Sequence, residues 1–252
     1  MMNKPNHMKG IRQISTILIF MTMTAGAYSQ DSYAADVIKT SAGNVEMYFI
    51  GHGSLMFKVN DFCIHIDPVS SSGSYDKLPK ADLILVTHEH YDHLDAKLIS
   101  SLRKPGTVMF CNQKSASEIK WSQPMNAGDT KSAGSISIEA VPAYNIVNMR
   151  SPGQPFHPKG TGLGFILTIG DKKFYIAGDT ENTPEMKALK NIDVAFLPMN
   201  LPYTMTPEMV SDAAMAFKPK ILYPYHYGDT KTEKLPQLLK DSDIDVRIRN
   251  LK

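Results

Sequence analysis

The chain is poor in cysteine, with two residues, Cys63 and Cys111, among 252. Neither has the paired spacing of a zinc knuckle or a redox dithiol. Both lie in apolar, strand-like runs, where a buried free thiol is the common outcome, although an oxidising compartment would permit a disulfide. The chain also lacks a dinucleotide fingerprint, a P-loop and a Ser/His/Asp nucleophile motif, which leaves those chemistries without a motif here. It lacks an excess of charge: 27 basic residues stand against 25 acidic ones. Setting aside Lys4, Lys9 and Arg12, residues 28–252 carry 24 basic against 25 acidic groups. The slight basicity belongs to the start of the chain, and there is no basic footprint for nucleic acid.

No acidic residue precedes Asp31. After the basic start comes an apolar run, Ile14 to Ala27, that is short for a membrane span. Ala25-Gly26-Ala27 offers small residues for cleavage, with Ser32-Tyr33-Ala34 as a second candidate. The expectation is a cleaved secretory signal peptide over residues 1–27, and a retained N-terminal anchor is the competing reading. With no cysteine near either cleavage point, a lipoprotein is not expected. Residues 28–252 then suit one domain with a sizeable core, periplasmic or secreted, without stable membrane association.

The apolar pattern switches between strand and helix periods. Strands are expected over 45–50, 54–59, 62–66, 82–86, 107–111, 135–142, 163–169, 173–177, 194–197, 221–223 and 246–248. Helices are expected over 94–102, 184–190, from Thr206-Pro207 to about Phe217, and over 232–240, with a short one near 115–121. Thr206 suits an N-cap and Pro207 the first helical position. Pattern alone supports α/β or α+β, with two sheets face to face and helices outside. Residues 145–162 read as one long loop, of the kind that walls or covers a site.

What is present in quantity is metal-ligand chemistry. Thr87-His88-Glu89-His90-Tyr91-Asp92-His93-Leu94-Asp95 places three imidazoles and an aspartate within six residues, directly after the apolar strand ending at Val86. Imidazoles and carboxylates are ligands for borderline divalent metals. On an extended segment His88 and His90 point the same way, and Asp92 and His93 follow where the chain must turn.

This His-x-His-x-Asp-His run resembles the metallo-β-lactamase fold superfamily. Ile66-Asp67-Pro68, Ala177-Gly178-Asp179-Thr180 and Tyr223-Pro224-Tyr225-His226-Tyr227-Gly228 stand at its other stations, in its order. Gly51-His52-Gly53-Ser54 and the terminal Pro-Tyr-His-Tyr-Gly look most like the branch of ascorbate-6-phosphate lactonase and N-acylphosphatidylethanolamine phospholipase D relatives. The resemblance implies a four-layer αββα sandwich. It also implies a first metal on His88 and His90, a second on Asp92, His93 and His226, and Asp179 bridging both. The chain departs from the pattern at the third ligand of the first metal, where Asn145 stands in place of a His. His157, twelve residues on, is the candidate to fold back and supply it, with direct ligation by Asn145 as the alternative.

The cofactors expected are two divalent ions, zinc favoured by the imidazole content and manganese or iron open. A hydroxide bridging them would cleave an ester, lactone, amide or phosphodiester of a small-molecule substrate, with Asp92 orienting it and able to receive its proton. A true β-lactamase is not the expectation. Candidate substrate contacts are His52, Asn145, Lys159, Asn200 and Tyr203. His65 is expected to be a buried structural histidine, and Asp67 an acceptor that orients a ligand imidazole. The alternatives are a secreted metal-binding protein without turnover, and an iron-dependent redox enzyme on the same fold.

Overall fold

The computed structural model describes residues 1–2 and 33–252. Apart from its first two residues, the expected signal segment lies outside the described residues. The first sheet runs in chain order: β1 (Ala35–Thr40), β2 (Gly43–Gly51), β3 (Ser54–Val59), β4 (Phe62–Ile66), β5 (Leu83–Val86), β6 (Val108–Cys111) and β7 (Gln123–Pro124). Pairing is antiparallel from β1 to β4 and parallel from β4 to β7. The second sheet begins with β8 (Thr130–Ala133) and β9 (Ile136–Ala143). A small hairpin, β10 (Met149–Ser151) and β11 (Gln154–Pro155), intervenes. The second sheet then continues through β12 (Gly162–Ile169), β13 (Lys172–Ile176), β14 (Val194–Pro198), β15 (Ile221–Tyr225) and β16 (Asp245–Val246). Its spatial order is β16-β15-β14-β13-β12-β9-β8, parallel from β13 to β16.

Side-chain alternation divides each strand between two layers. Phe57, Ile64 and Leu85 of the first sheet meet Phe165, Phe174 and Phe196 of the second in a shared core. Their neighbours Met56, Cys63, Ile84 and Val86 face outward, onto Ile99 and Leu102 of helix α1 (Ala96–Leu102) and near α2 (Gln113–Glu118). On the far side Ile166, Tyr175, Ala195 and Leu222 pack against Met186 of α3 (Pro184–Lys187), Val210, Ala213 and Phe217 of α4 (Pro207–Phe217), and Leu235 of α5 (Lys234–Leu238). Two sheets with helices on both outer faces make the four-layer αββα sandwich. None of the described helices is long and apolar enough to cross a membrane.

Local chemistry sets the ends of these elements. Asp95 caps α1 through Leu98 N at 2.9 Å, so the helix begins at Ala96, two residues later than the apolar pattern suggests. Thr206 caps α4 through Met209 N at 3.1 Å, with Pro207 in the first turn as expected. Residues 145–162 differ from expectation. The segment is not structureless but carries the β10–β11 hairpin, turning at Gly153 with φ 73°. Cys63 and Cys111 are buried free thiols.

Candidate metal centre

Parallel strands deliver the candidate residues. Asp67 follows β4, the run 87–93 follows β5, Asp179 follows β13, Asn200 and Tyr203 follow β14, and His226 follows β15. All leave the carboxyl ends of their strands, where open α/β sheets place their sites. At those ends lies a cleft of about 870 Å³, lined among others by His52, His90, Asp92, Arg150, Phe156, His157, Asp179, Asn200, Tyr203 and His226. Three non-glycine residues around it, His52, Asp67 and His226, have φ between 42° and 51°. Left-handed backbone at such residues persists only where surrounding contacts hold it. At Gly178, with φ +65°, a Cβ would stand 2.5 Å from the Leu163 carbonyl oxygen, so only glycine lets the chain bring Asp179 into the cleft.

The donor atoms fall into overlapping groups. His88, His90 and His157 each offer a nitrogen within 4.8 Å of the others, as do the ligand atoms of His88, His93 and Asp179, and those of His52, Asp92 and His226. His88 Nε2 lies 3.0 Å from His90 Nδ1, and His157 Nε2 lies 3.3 Å from Asp179 Oδ2. Asp179 Oδ1 is 3.4 Å from His93 Nε2 and 3.5 Å from His226 Nε2, and that His226 nitrogen is 3.5 Å from Asp92 Oδ2. Donors about 2.0–2.2 Å from a tetrahedral zinc stand about 3.3–3.5 Å apart, so these spacings suit ligation. His93 Nε2, His226 Nε2 and Asp179 Oδ1 are buried without a hydrogen-bond partner. Unpaired buried polar atoms are costly, and three of them converging on one space fit a cation.

Tautomers are set from behind. Asp67 Oδ1 accepts from Thr87 N at 2.7 Å, and its Oδ2 accepts from Thr87 Oγ1 at 2.7 Å and from His93 Nδ1 at 2.8 Å. With Nδ1 committed to Asp67, His93 turns its Nε2 to the cleft. Having given its proton to Asp67, the Thr87 hydroxyl accepts from His88 Nδ1 at 3.0 Å, which does the same for His88. Asn145 stands in the equivalent place behind His157. Its Oδ1 accepts from His157 Nδ1 at 2.7 Å and from His157 N at 2.8 Å. Its amide nitrogen donates to buried Glu181 at 3.1 Å and to the Tyr203 carbonyl at 2.9 Å, which fixes which end of the amide faces the imidazole. Asn145 thus lies behind the imidazole rather than among the donors or the cleft-lining residues.

Electrostatics follow from this packing. Burial, with His93 beside it, pushes the His88 imidazole well below its ordinary value. Burial also opposes charge on His93, but Asp179 and Asp67 outweigh it and raise its pKa well above the usual range. Burial would raise the Asp92 carboxyl, yet the imidazoles of His226 and His52 beside it hold it far below the carboxylate range. Asp179 is likewise held low, against its burial, by His226 and His93.

Of the expected substrate contacts, His52, Asn200 and Tyr203 line the cleft. His52 Nε2 is 3.3 Å from Asp92 Oδ2, and its ring lies tilted against that of His226, with centroids 3.8 Å apart. Lys159 does not reach the cleft. Its ammonium pairs with Glu185 at 2.7 Å and lies over the Tyr144 ring, because the chain after His157 turns away toward α3. His65 is buried in β4 and donates from Nε2 to the Pro79 carbonyl at 2.9 Å. Sequence reasoning missed Glu181, whose only signal is an acid two residues after Asp179. It also missed Arg150 and Phe156, which carry no motif.

Comparisons with known proteins agree with this architecture. The model of the Beta-lactamase superfamily domain matches residues 46–226. A UPF0173 metal-dependent hydrolase of Lysinibacillus sphaericus is 28% identical over 220 residues, covering 82% of this chain and 96% of the relative. A protein of Parabacteroides distasonis, assigned as a metal-dependent hydrolase, has a crystal structure that superposes with TM-score 0.83 and 49% identity over 87% of this chain and all of that one. Igni18, a metallo hydrolase from Ignicoccus hospitalis, superposes with TM-score 0.69 and 25% identity, covering 82% of this chain and 95% of that chain. By the family match and by these folds, the chain belongs to the beta-lactamase superfamily, in its metallo-β-lactamase fold.

Proposed function

We propose that this chain is a metal-dependent hydrolase with a binuclear centre, acting on an ester, lactone or phosphodiester. The observation that carries the reading is the convergence of His93 Nε2, His226 Nε2 and Asp179 Oδ1, buried and unpartnered, on one space at the cleft floor. His88, His90 and His157 would hold one cation, Asp92, His93 and His226 the other, with Asp179 between them. Bound there, the two cations supply a water-derived nucleophile at neutral pH and polarise the scissile group.

The chain's own residues do the rest. Asp67, Thr87 and Asn145 orient three imidazoles. Asp92, the more open of the two carboxylates in the ligand set at 27% side-chain exposure, stays ionised at neutral pH, as a ligand that orients the nucleophile must. Asn200 and Tyr203 face the substrate's side of the cleft. The lactonase-like segments 51–54 and 223–228 make lactones and phosphodiesters the first substrates to try. Zinc is the metal we expect. The reading as a binding protein without turnover leaned on Asn145 as a lost ligand, and the grouping of His157 with His88 and His90 weighs against it. We also propose export of the mature chain, which N-terminal sequencing of protein from the periplasm or medium tests.

Metal content per chain, measured by plasma mass spectrometry on protein purified without chelator, is the deciding experiment. About two ions per chain, with chelator-sensitive turnover of a lactone or phosphodiester, is the expected result. One ion or fewer would overturn the binuclear centre, and two ions with no turnover across ester, lactone and phosphodiester probes would overturn the hydrolase.

A further inference from the structure

The wall of the cleft holds one cation with no obvious employer. Two basic residues line it, Arg150 and Lys252. Lys252 pairs with Asp229 at 2.7 Å, and Lys114, in the recess behind the hairpin, pairs with Glu89 at 2.8 Å. Among the described residues no carboxylate pairs with Arg150. It lies instead near an aromatic ring, with the guanidinium carbon 5.8 Å from the centroid of Phe156. Phe156 in turn meets Tyr203 edge-on at 5.1 Å. Arg150 borders both the main cleft and the recess that His88, His90 and His157 also border.

This placement is specific. Arg150 sits on β10, Phe156 directly precedes His157, and the β10–β11 pairing ties the two together. A guanidinium over a ring keeps its donor edges free, and its fork matches a carboxylate or phosphate with two parallel hydrogen bonds. The Phe156–Tyr203 wall alongside gives the group bearing that anion an apolar surface.

We propose that Arg150 anchors an oxyanion, carboxylate or phosphate, carried by the substrate apart from the bond that is cleaved, so that this enzyme's substrates are anions. The proposal rests on the hydrolase reading above and names the substrate class for that site. Arg150 is then a specificity-determining residue, and the hairpin that carries it is the selective wall of the cleft.

The test uses the metal-loaded protein, wild type beside Arg150→Ala and Arg150→Lys, with metal content measured on each. A matched pair of aryl esters, one bearing a free carboxylate and one with it methyl-capped, reads the anchor. Loss of charge-assisted hydrogen bonds predicts a fall in kcat/KM of about tenfold to a hundredfold for the anionic ester in R150A, with partial recovery in R150K. The capped ester should change by no more than about twofold, and metal content should not change. Equal losses on both esters, or none on either, would overturn the anchor. Should wild type cleave neither ester, calorimetric binding of benzoate and phenyl phosphate to wild type and R150A judges the anchor independently of turnover. A tenfold weakening of either probe supports it and tells carboxylate from phosphate, whereas unchanged affinity for both overturns it.

Discussion

Single residues divide here into those that face the cleft and those that aim them. Asn145 belongs to the second kind: its oxygen accepts the His157 Nδ1 proton and so leaves Nε2 free. Replacing His157 by Ala should cost about one metal ion per chain. Replacing Asn145 by Ala should weaken metal affinity about tenfold to a hundredfold while leaving the ion bound at saturating metal. Metal titration followed by mass spectrometry separates the two outcomes. His65 makes a different prediction. Burial pulls its pKa down from 6.5 to about 4, and its Nδ1 has no partner to share a proton. Between those values the unfolded chain binds a proton that the folded chain refuses, so stability rises with pH across the window. Stability from this group is complete above about pH 6.5 and lost as pH falls toward 4, by up to about 3 kcal/mol. Urea unfolding from pH 4 to 7 should show that slope, and His65→Gln, which keeps a donor for the Pro79 carbonyl, should flatten it.

At the scale of elements, the segment from Asn145 to the hairpin is held by one buried side chain. Glu181 accepts from the Asn145 amide at 3.1 Å and from the backbone N–H groups of Ile146, Val147 and Asn148 at 2.7 Å each. A glutamine there would turn an amide donor toward other donors. Glu181→Gln should destabilise the fold by about 2–3 kcal/mol. It should also speed hydrogen exchange at residues 146–148 and reduce occupancy of the His157 site, readable by amide exchange and metal analysis. Legibility also varied by element. β3 and β4 matched their expected bounds because apolar alternation between tight turns specifies both period and ends. The edge strand β1, in which no residue is fully buried, and the two-residue β7 left no such signal. The hairpin at 149–155 was read as loop because its strands are short and exposed or half-buried, and their pairing is shown only by the folded chain.

Across the whole molecule, the site joins both sheets, with the 87–93 run from the first and Asp179 and His226 from the second. A cation held there should clamp the two halves of the sandwich. Removing metal with a chelator should therefore lower Tm, and stepwise addition of zinc should restore it in proportion to the logarithm of free metal, measured by differential scanning calorimetry. A Tm indifferent to metal would mean that the folded chain does not bind it in preference to the unfolded one. The sequence by itself determined the strand and helix periods, the two-sheet class and the contiguous His88–His93 ligand run, because each is written within a few residues and reports local backbone geometry. Asp179 and His226 were legible only through the resemblance to a family. The tertiary structure alone decided that Asn145 stands behind His157, that Glu181 gathers residues 145–148, that Lys159 turns away, and that Arg150 faces the cleft. Those roles depend on contacts between segments far apart in the chain, and sheet packing, not local propensity, brings such segments together.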